Sequence, residues 1–261
     1  SAEAGARKAS RVEGAMVWPW LQRLGEGLVD LVFPPNCVAC HGPAPEYLCA
    51  SCIASIRRVE RPLCHCCGRP LDLLSVSPES SFRERALCAR CRALPVEFDR
   101  CRAYGWYEGA LREAILALKY HGKTAVIPAL AELLRRALDE DPVLSRARTL
   151  VPVPLHPRRR RERGFNQAEL LARALAAQSG RALRCDLIVK TRYTRPQVGL
   201  NAEQRRENLR DAFAVQGEAA PAGPILLIDD VTTTGATFHA CACALRAAGA
   251  TTIYALALAR D

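Results

Sequence analysis

Eight cysteines fall into four C-x-x-C pairs within 55 residues: Cys37 and Cys40, Cys49 and Cys52, Cys64 and Cys67, and Cys88 and Cys91. Each pair forms a tight knuckle that presents two thiolates to one tetrahedral zinc ion, and two knuckles complete a closed site. Eight ligands make two sites. Sequence order assigns Cys37, Cys40, Cys49 and Cys52 to one ion, and Cys64, Cys67, Cys88 and Cys91 to the other. An interleaved cross-brace is the alternative, although the eleven residues between Cys52 and Cys64 make a long spacer for one. His65 and Cys66, inside the third knuckle, read as bystanders. Few apolar residues lie between Cys37 and Cys91, so the metal must supply what a core cannot, on the order of 10 kcal/mol in small zinc domains. With sulfur at all four positions no water nucleophile has room, and the zinc is expected to be structural.

Ten of the 13 cysteines precede residue 102, whereas readable helices and strands come almost entirely after it. That shift in composition puts a boundary near Ala93 to Arg100, with ribbons over residues 34–95 and a larger domain over 96–261. Paired spacing without a secretory signal favours reduced thiols and a cytoplasmic protein. Residues 1–15 are small and polar, and are expected to be disordered or an expression remnant. Residues 16–33 place Trp20, Leu21, Leu24, Leu28, Leu31 and Val32 near helical spacing. Charges interrupt the run too often for a membrane span, so an amphipathic helix docking on its own protein is expected. The formal charge of +10 suits a polyanionic partner, but also an ordinary basic chain rich in arginine and alanine.

The second block alternates helix and strand. "CRAYGWYEG", "TLVPVPL", "CDLIVK", "PILLIDD" and "TIYALALA" read as strands, the last four as buried strands of a parallel sheet. "ALREAILALKYHG", "AVIPALAELLRRAL", "FNQAELLARALAAQSG" and "ATFHACACALRAAGA" carry helical periodicity. The pattern is α/β, a parallel sheet with helices on both sides behind a small cysteine-rich domain.

The stretch "ILLIDDVTTTGAT" (225–237) reads as a strand "ILLI", two acids at its C-terminal edge, "VTTTG" as a turn, and a helix from Ala236. Ligands of open α/β sheets bind beyond that edge, and a helix amino end with threonine hydroxyls suits a phosphate. Adjacent carboxylates would repel the phosphate itself, but they fit neutral hydroxyls beyond it. A ribose 5′-phosphate meets both demands. The plainer reading is that Asp229 and Asp230 merely cap a helix.

This stretch resembles the ribose-phosphate loop of type I phosphoribosyltransferases. The resemblance implies phosphoribosyl pyrophosphate with Mg²⁺, with Asp229 and Asp230 on the ribose hydroxyls and Thr232, Thr233, Thr234, Gly235, Ala236 and Thr237 around the 5′-phosphate. Together with the four cysteine pairs, "YEGALREAILALKYHG", "VPVPLHPRRRRERGFNQAELLA" and "RPQVGLNAEQRRENLRDAF", it makes residues 17–261 similar to the ComF family, itself similar to GntX. That family includes the competence factor needed for DNA uptake in natural transformation.

"VPVPLHPRRRRERGFNQ" reads as a strand and a rigid, proline-spaced loop with five arginines, where relatives hold pyrophosphate. His156, Arg158 and Arg163 are its candidate ligands, with Asn166 and Gln167 orienting it. For Arg159, Arg160 and Arg161 a solvated basic face is the alternative. In relatives the segment from Lys190 onward is a flap over the ligand, which nominates Lys190, Arg192, Arg195, Gln197 and Arg205. Lys119 reads equally as a site cation or a surface lysine. The resemblance implies single-stranded DNA and competence-machinery proteins as partners, with aromatics such as Tyr104, Trp106 and Tyr193 as candidate stacking residues. The alternative is an active phosphoribosyltransferase on an unidentified acceptor, in purine or other salvage. With no hood after the last strand, that acceptor would be met by the ribbons or by the segment from Cys101 to Gly122.

Overall fold

The computed structural model describes residues 35–71, 86–194, 199, 201–217 and 219–261. The expectations for residues 1–15 and 16–33, and for Arg195 and Gln197, lie outside them. Five strands form the main sheet: β1 (Arg100–Trp106), β2 (Thr149–Pro152), β3 (Ala182–Leu183), β6 (Ile225–Thr232) and β7 (Ile253–Arg260). Their order is β1-β7-β6-β2-β3 and every pairing is parallel. Every residue of β7 is buried, because this inner strand is covered on both faces; its sequence is apolar up to Arg260, which is buried as well.

Alternation along β6 divides the core. Leu226 and Ile228 face one layer, packed with α3 (Gly109–His121), α4 (Ile127–Asp139) and α6 (Gln167–Ser179) through Leu111, Ile115, Leu134, Leu171 and Leu175. Ile225 and Leu227 face the other, against α8 (Ala236–Ala247), the end of α7 (Ala202–Leu209), and a separate antiparallel pair, β4 (Ile188–Lys190) and β5 (Phe213–Val215). The α/β class with helices on both faces is therefore the one observed.

Each zinc ribbon repeats one small plan. A short helix, α1 (Ala50–Ala54) or α2 (Ala89–Ala93), starts after Cys49 or Cys88 and carries the next cysteine of its pair. An isolated antiparallel bridge, Asn36 to Pro43 or Leu63 to Pro70, closes the other knuckle. The first ribbon has no core of its own: Cys37, Ala44, Leu48 and Ile56 belong to the same cluster as Leu111 and Ile115. Gly105 in β1 permits that approach, since a Cβ there would come within 2.7 Å of Ile56 Cγ2 and 2.9 Å of the Arg57 carbonyl. The second ribbon meets β1 through the Cys101 N–H, which donates to the Cys66 carbonyl at 2.6 Å.

Three local expectations are corrected. "CDLIVK" does not join the parallel sheet; Ala182–Leu183 takes that edge, and Ile188–Lys190 pairs antiparallel with β5. A short apolar run looks the same in either sheet. The proline-spaced loop contains a helix, α5 (Pro157–Arg163), because His156 caps it by accepting from Arg158 N–H at 3.2 Å, Pro157 suits the first position, and Gly164 ends it at φ 85°. The turn after β6 is shorter than "VTTTG": β6 stays paired with β7 through Thr232, opposite Arg260, leaving Thr233, Thr234 and Gly235.

Candidate functional site

After β2 the chain turns into α5 and α6 on one face of the sheet, and after the neighbouring β6 it turns into α8 on the other. Two adjacent parallel strands whose connections part in this way leave a crevice at their C-terminal ends. A cavity of about 560 Å³ opens there, lined by Tyr107 beyond β1, Val153 to Leu155 beyond β2, Asp229 to Thr232 at the end of β6, and Asp261 beyond β7.

The turn after β6 gives the cavity a phosphate-sized corner. Gly235 sits at φ 75° as the residue before α8 and has no side chain with which to cap the helix, and Ala236 and Thr237 line the cavity at its amino end. The left-handed backbone at Gly235 favours glycine, and a Cβ there would also press on the Phe98 ring at 3.2 Å. Thr233 lines the cavity, and its hydroxyl accepts a hydrogen bond from Arg205 Nη1. Thr234 does not line it; its hydroxyl accepts from Ala236 N–H at 3.3 Å, bracing the turn.

The two acids are unequal. Asp230 is buried, and its Oδ2 lies 2.5 Å from Lys119 Nζ. Asp229 is half-buried, and its carboxyl is pushed up to about 7 by desolvation, against the pull of Lys119, Lys190 and Arg163. Lys119 is in turn drawn down to about 8, chiefly by its own burial and further by Arg163, although Asp229 holds its proton on. Lys119 is thus no surface lysine. It lies four residues beyond the buried Ile115, so helical periodicity puts it on the inward stripe of α3, and a cation on such a stripe signals a buried anion.

The remaining candidates divide by place. Gln167, Lys190 and Arg205 line the cavity, as does Arg159, for which a solvated face was the alternative. Burial lowers Lys190, whose Nζ lies 5.3 Å from the Phe213 ring centroid. His156 and Arg158 do not line the cavity: His156 caps α5, and Arg158 pairs with Glu162 at 3.0 Å. Arg163 donates to Gln167 Oε1 at 2.6 Å, holding a residue that does reach the cavity. Asn166 ties β2 to α6, its Nδ2 donating to the Val153 carbonyl at 3.0 Å and its Oδ1 accepting from Ala168 N–H at 3.1 Å. Arg192 donates to the carbonyls of Asn208 and Arg210 at 3.1 and 2.6 Å, bracing the end of α7.

The eight paired cysteines gather into Cys37, Cys40, Cys49 and Cys52, and Cys64, Cys67, Cys88 and Cys91, with the four sulfurs of each group within 4.8 Å of one another. This is the sequence-order grouping, not the interleaved one. A tetrahedron with Zn–S of about 2.3 Å has edges of about 3.8 Å. The Cys40–Cys49 and Cys67–Cys88 Sγ separations are 3.8 and 3.7 Å. Backbone N–H groups of Cys49 and Cys88 donate to the sulfurs of Cys37 and Cys64 at 3.5 and 3.3 Å, the stabilisation a thiolate requires. The donor sets fit structural zinc.

A family model described as a double zinc ribbon domain matches residues 28–92. Beyond the ribbons, the chain is 30% identical over 233 residues to competence protein F of Haemophilus influenzae, covering 86% of this chain and 96% of that one. The chain belongs to the ComF family. Other ComF-family relatives are DNA utilization protein YhgH of Escherichia coli K12, at 30% identity over 88% of this chain and 99% of that one, and competence protein ComFC of Bacillus subtilis, at 26% over 83% and 85%. Among solved structures, the allosteric regulatory enzyme of purine biosynthesis aligns with 50% of this chain and 26% of its own at 20% identity and a TM-score of 0.34, too distant a likeness to bear on the site. No helix among the described residues is long and apolar enough to cross a membrane.

Proposed function

We propose that this ComF-family protein binds phosphoribosyl pyrophosphate, or a related ribose 5′-phosphate, in the cavity beyond β6, and that it acts with single-stranded DNA in DNA uptake. The observation that carries the reading is that Asp229 and the amino end of α8 face one cavity at the point where β2 and β6 send their connections to opposite faces. Hydroxyls of a ribose donate to the Asp229 carboxylate, while the turn of Thr233, Thr234 and Gly235 takes the 5′-phosphate. Lys119, Lys190, Arg159 and Arg205 supply positive charge around a polyanionic ligand. A pyrophosphate brought in with Mg²⁺ fits a site with room for the waters that the ion retains. The role in DNA uptake is supported by the relatives named for competence and DNA utilization.

Calorimetry with phosphoribosyl pyrophosphate and MgCl₂ tests the loop. The double variant Thr233→Ala, Thr234→Ala is expected to lose the binding heat, and unchanged affinity refutes the assignment. A labelled single-stranded oligonucleotide should bind in a salt-dependent manner, and should still do so in Asp229→Ala, Asp230→Ala if DNA uses a separate surface. A phosphoribosyltransferase acting on an unidentified acceptor is the second reading, favoured by Tyr107 and Tyr120 on the cavity wall. Its signature is acceptor-dependent pyrophosphate release that the Asp229→Ala, Asp230→Ala variant abolishes.

A further inference from the structure

The second zinc group differs from the first by a fifth sulfur. Cys66 stands inside the knuckle of Cys64 and Cys67 without belonging to the ligand set, yet it packs against the cluster of Cys64, Cys67, Cys88 and Cys91. Its half-buried thiol donates to the Phe98 carbonyl at 3.5 Å and lies within hydrogen-bonding reach of the Cys91 sulfur. The first group has no such neighbour among the described residues: the side chain outside the ligand set that meets its Cys49 sulfur is a hydroxyl, Ser51 Oγ at 3.1 Å.

Cys66 is also held in place. Its carbonyl accepts from the Cys101 N–H at 2.6 Å, so β1 fixes the backbone that carries the spare thiol. Sulfur held as a thiolate remains a nucleophile, and a peroxide oxidises it to a sulfenic acid that condenses with any thiol beside it. In a closed tetrathiolate site every neighbouring sulfur is already committed to the metal. Here one is not, and it stands next to Cys91.

We propose that Cys66 is the resolving thiol for Cys91, so that a peroxide converts the second group into a Cys66–Cys91 disulfide and releases its zinc, while the first group keeps its own. The Cys91 thiolate attacks one peroxide oxygen, the O–O bond breaks, and the other oxygen takes protons from solvent and leaves as water. The Cys66 sulfur then attacks the sulfenic sulfur; the S–S bond forms, the S–O bond breaks, and the hydroxyl leaves as a second water with the Cys66 proton. Two electrons pass from the pair of sulfurs to the peroxide. Three sulfurs hold the ion less well than four, and a thiol reductant restores the site. The step is independent of what the cavity binds.

Hydrogen peroxide added to the full zinc-loaded chain, with a chromogenic chelator reporting free zinc, tests the step. Wild type is expected to release about one of its two ions several-fold faster than the other, and to take it back after dithiothreitol. A non-reducing digest read by mass spectrometry should join the Cys66 peptide to the Cys91 peptide. Cys66→Ser, and Cys66→Ala as a second variant, should hold both ions and release them at one slow rate. Equal rates in wild type, a fast phase that survives either variant, or a disulfide that leaves Cys66 out overturns the proposal. A variant that binds only one ion makes Cys66 a ligand, which overturns it as well.

Discussion

Asp229 and Asp230 are chemical neighbours with different fates. Asp230 is buried against Lys119, whereas Asp229 opens to the cavity and keeps its proton to about 7 because desolvation outweighs the surrounding cations. In the unfolded chain an aspartate titrates near 3.9. Between about pH 4 and 7 the folded state therefore binds more protons than the unfolded state, and stability falls as pH rises through that window. Asp229→Asn removes the penalty. At pH 8 the variant is expected to be more stable than the parent by about 1–3 kcal/mol, less than the full shift implies because the carboxyl is not sealed from water. Near pH 4 the difference should vanish. Urea unfolding at the two pH values measures it, and a gap that is equal at both would show that Asp229 ionises normally. The identity of the two acids is plain in the sequence. Which of them is paired depends on a lysine more than a hundred residues earlier, and strand residues carry no mark of what helix will lie across them.

At the level of elements, the site depends on how tightly the chain leaves β2 and β6. Asn166 acts twice, as the cap of α6 and as the donor to the Val153 carbonyl beyond β2. Asn166→Ala removes the cap and leaves a buried carbonyl unsatisfied, which should cost about 1–3 kcal/mol and loosen the wall of the cavity. Thermal melting reads the first effect and ligand affinity the second; a variant that loses neither would place the strength of this connection elsewhere. Helices α3, α4, α6 and α8 were legible because their apolar stripes are local, and α3 and α6 also end at a glycine. Less legible were α5, whose run of arginines hides a good cap and first-turn proline, and β4, whose apolar run matches a parallel-sheet strand. For β4 the neighbouring element decided, since β5 offers it an antiparallel edge, whereas the cap, proline and closing glycine that make α5 a helix are local and were masked by its arginines.

Across the whole molecule, the ribbons and the sheet are mechanically one unit. The first ribbon shares its core with α3, and the second is tied to the sheet by Arg260, which donates to the Cys67 carbonyl, and by Arg102, which donates to the Cys64 carbonyl at 3.3 Å. Arg102 and Arg100 both reach Asp141 Oδ2 at 2.8 Å, and together they hold its carboxyl below the ordinary range although burial alone would raise it. Elemental analysis should give about two zinc ions per chain, and chelation should lower the melting of the entire unit rather than detach a zinc-dependent step from it. Scanning calorimetry in which the sheet melts unchanged after chelation would contradict this coupling. The four cysteine knuckles, the presence of a turn between β6 and α8, and the α/β class could be read from the chain alone, because each is written in residues a few positions apart; the exact length of that turn and the partner of β4 could not. The pairing of Lys119 with Asp230, the arrival of Arg159 and two tyrosines at the cavity, and the fusion of the ribbons to β1 were decided only when strand order brought distant segments together. Spacing governs what neighbours along the chain can do, and nothing in spacing states which strand will lie beside which.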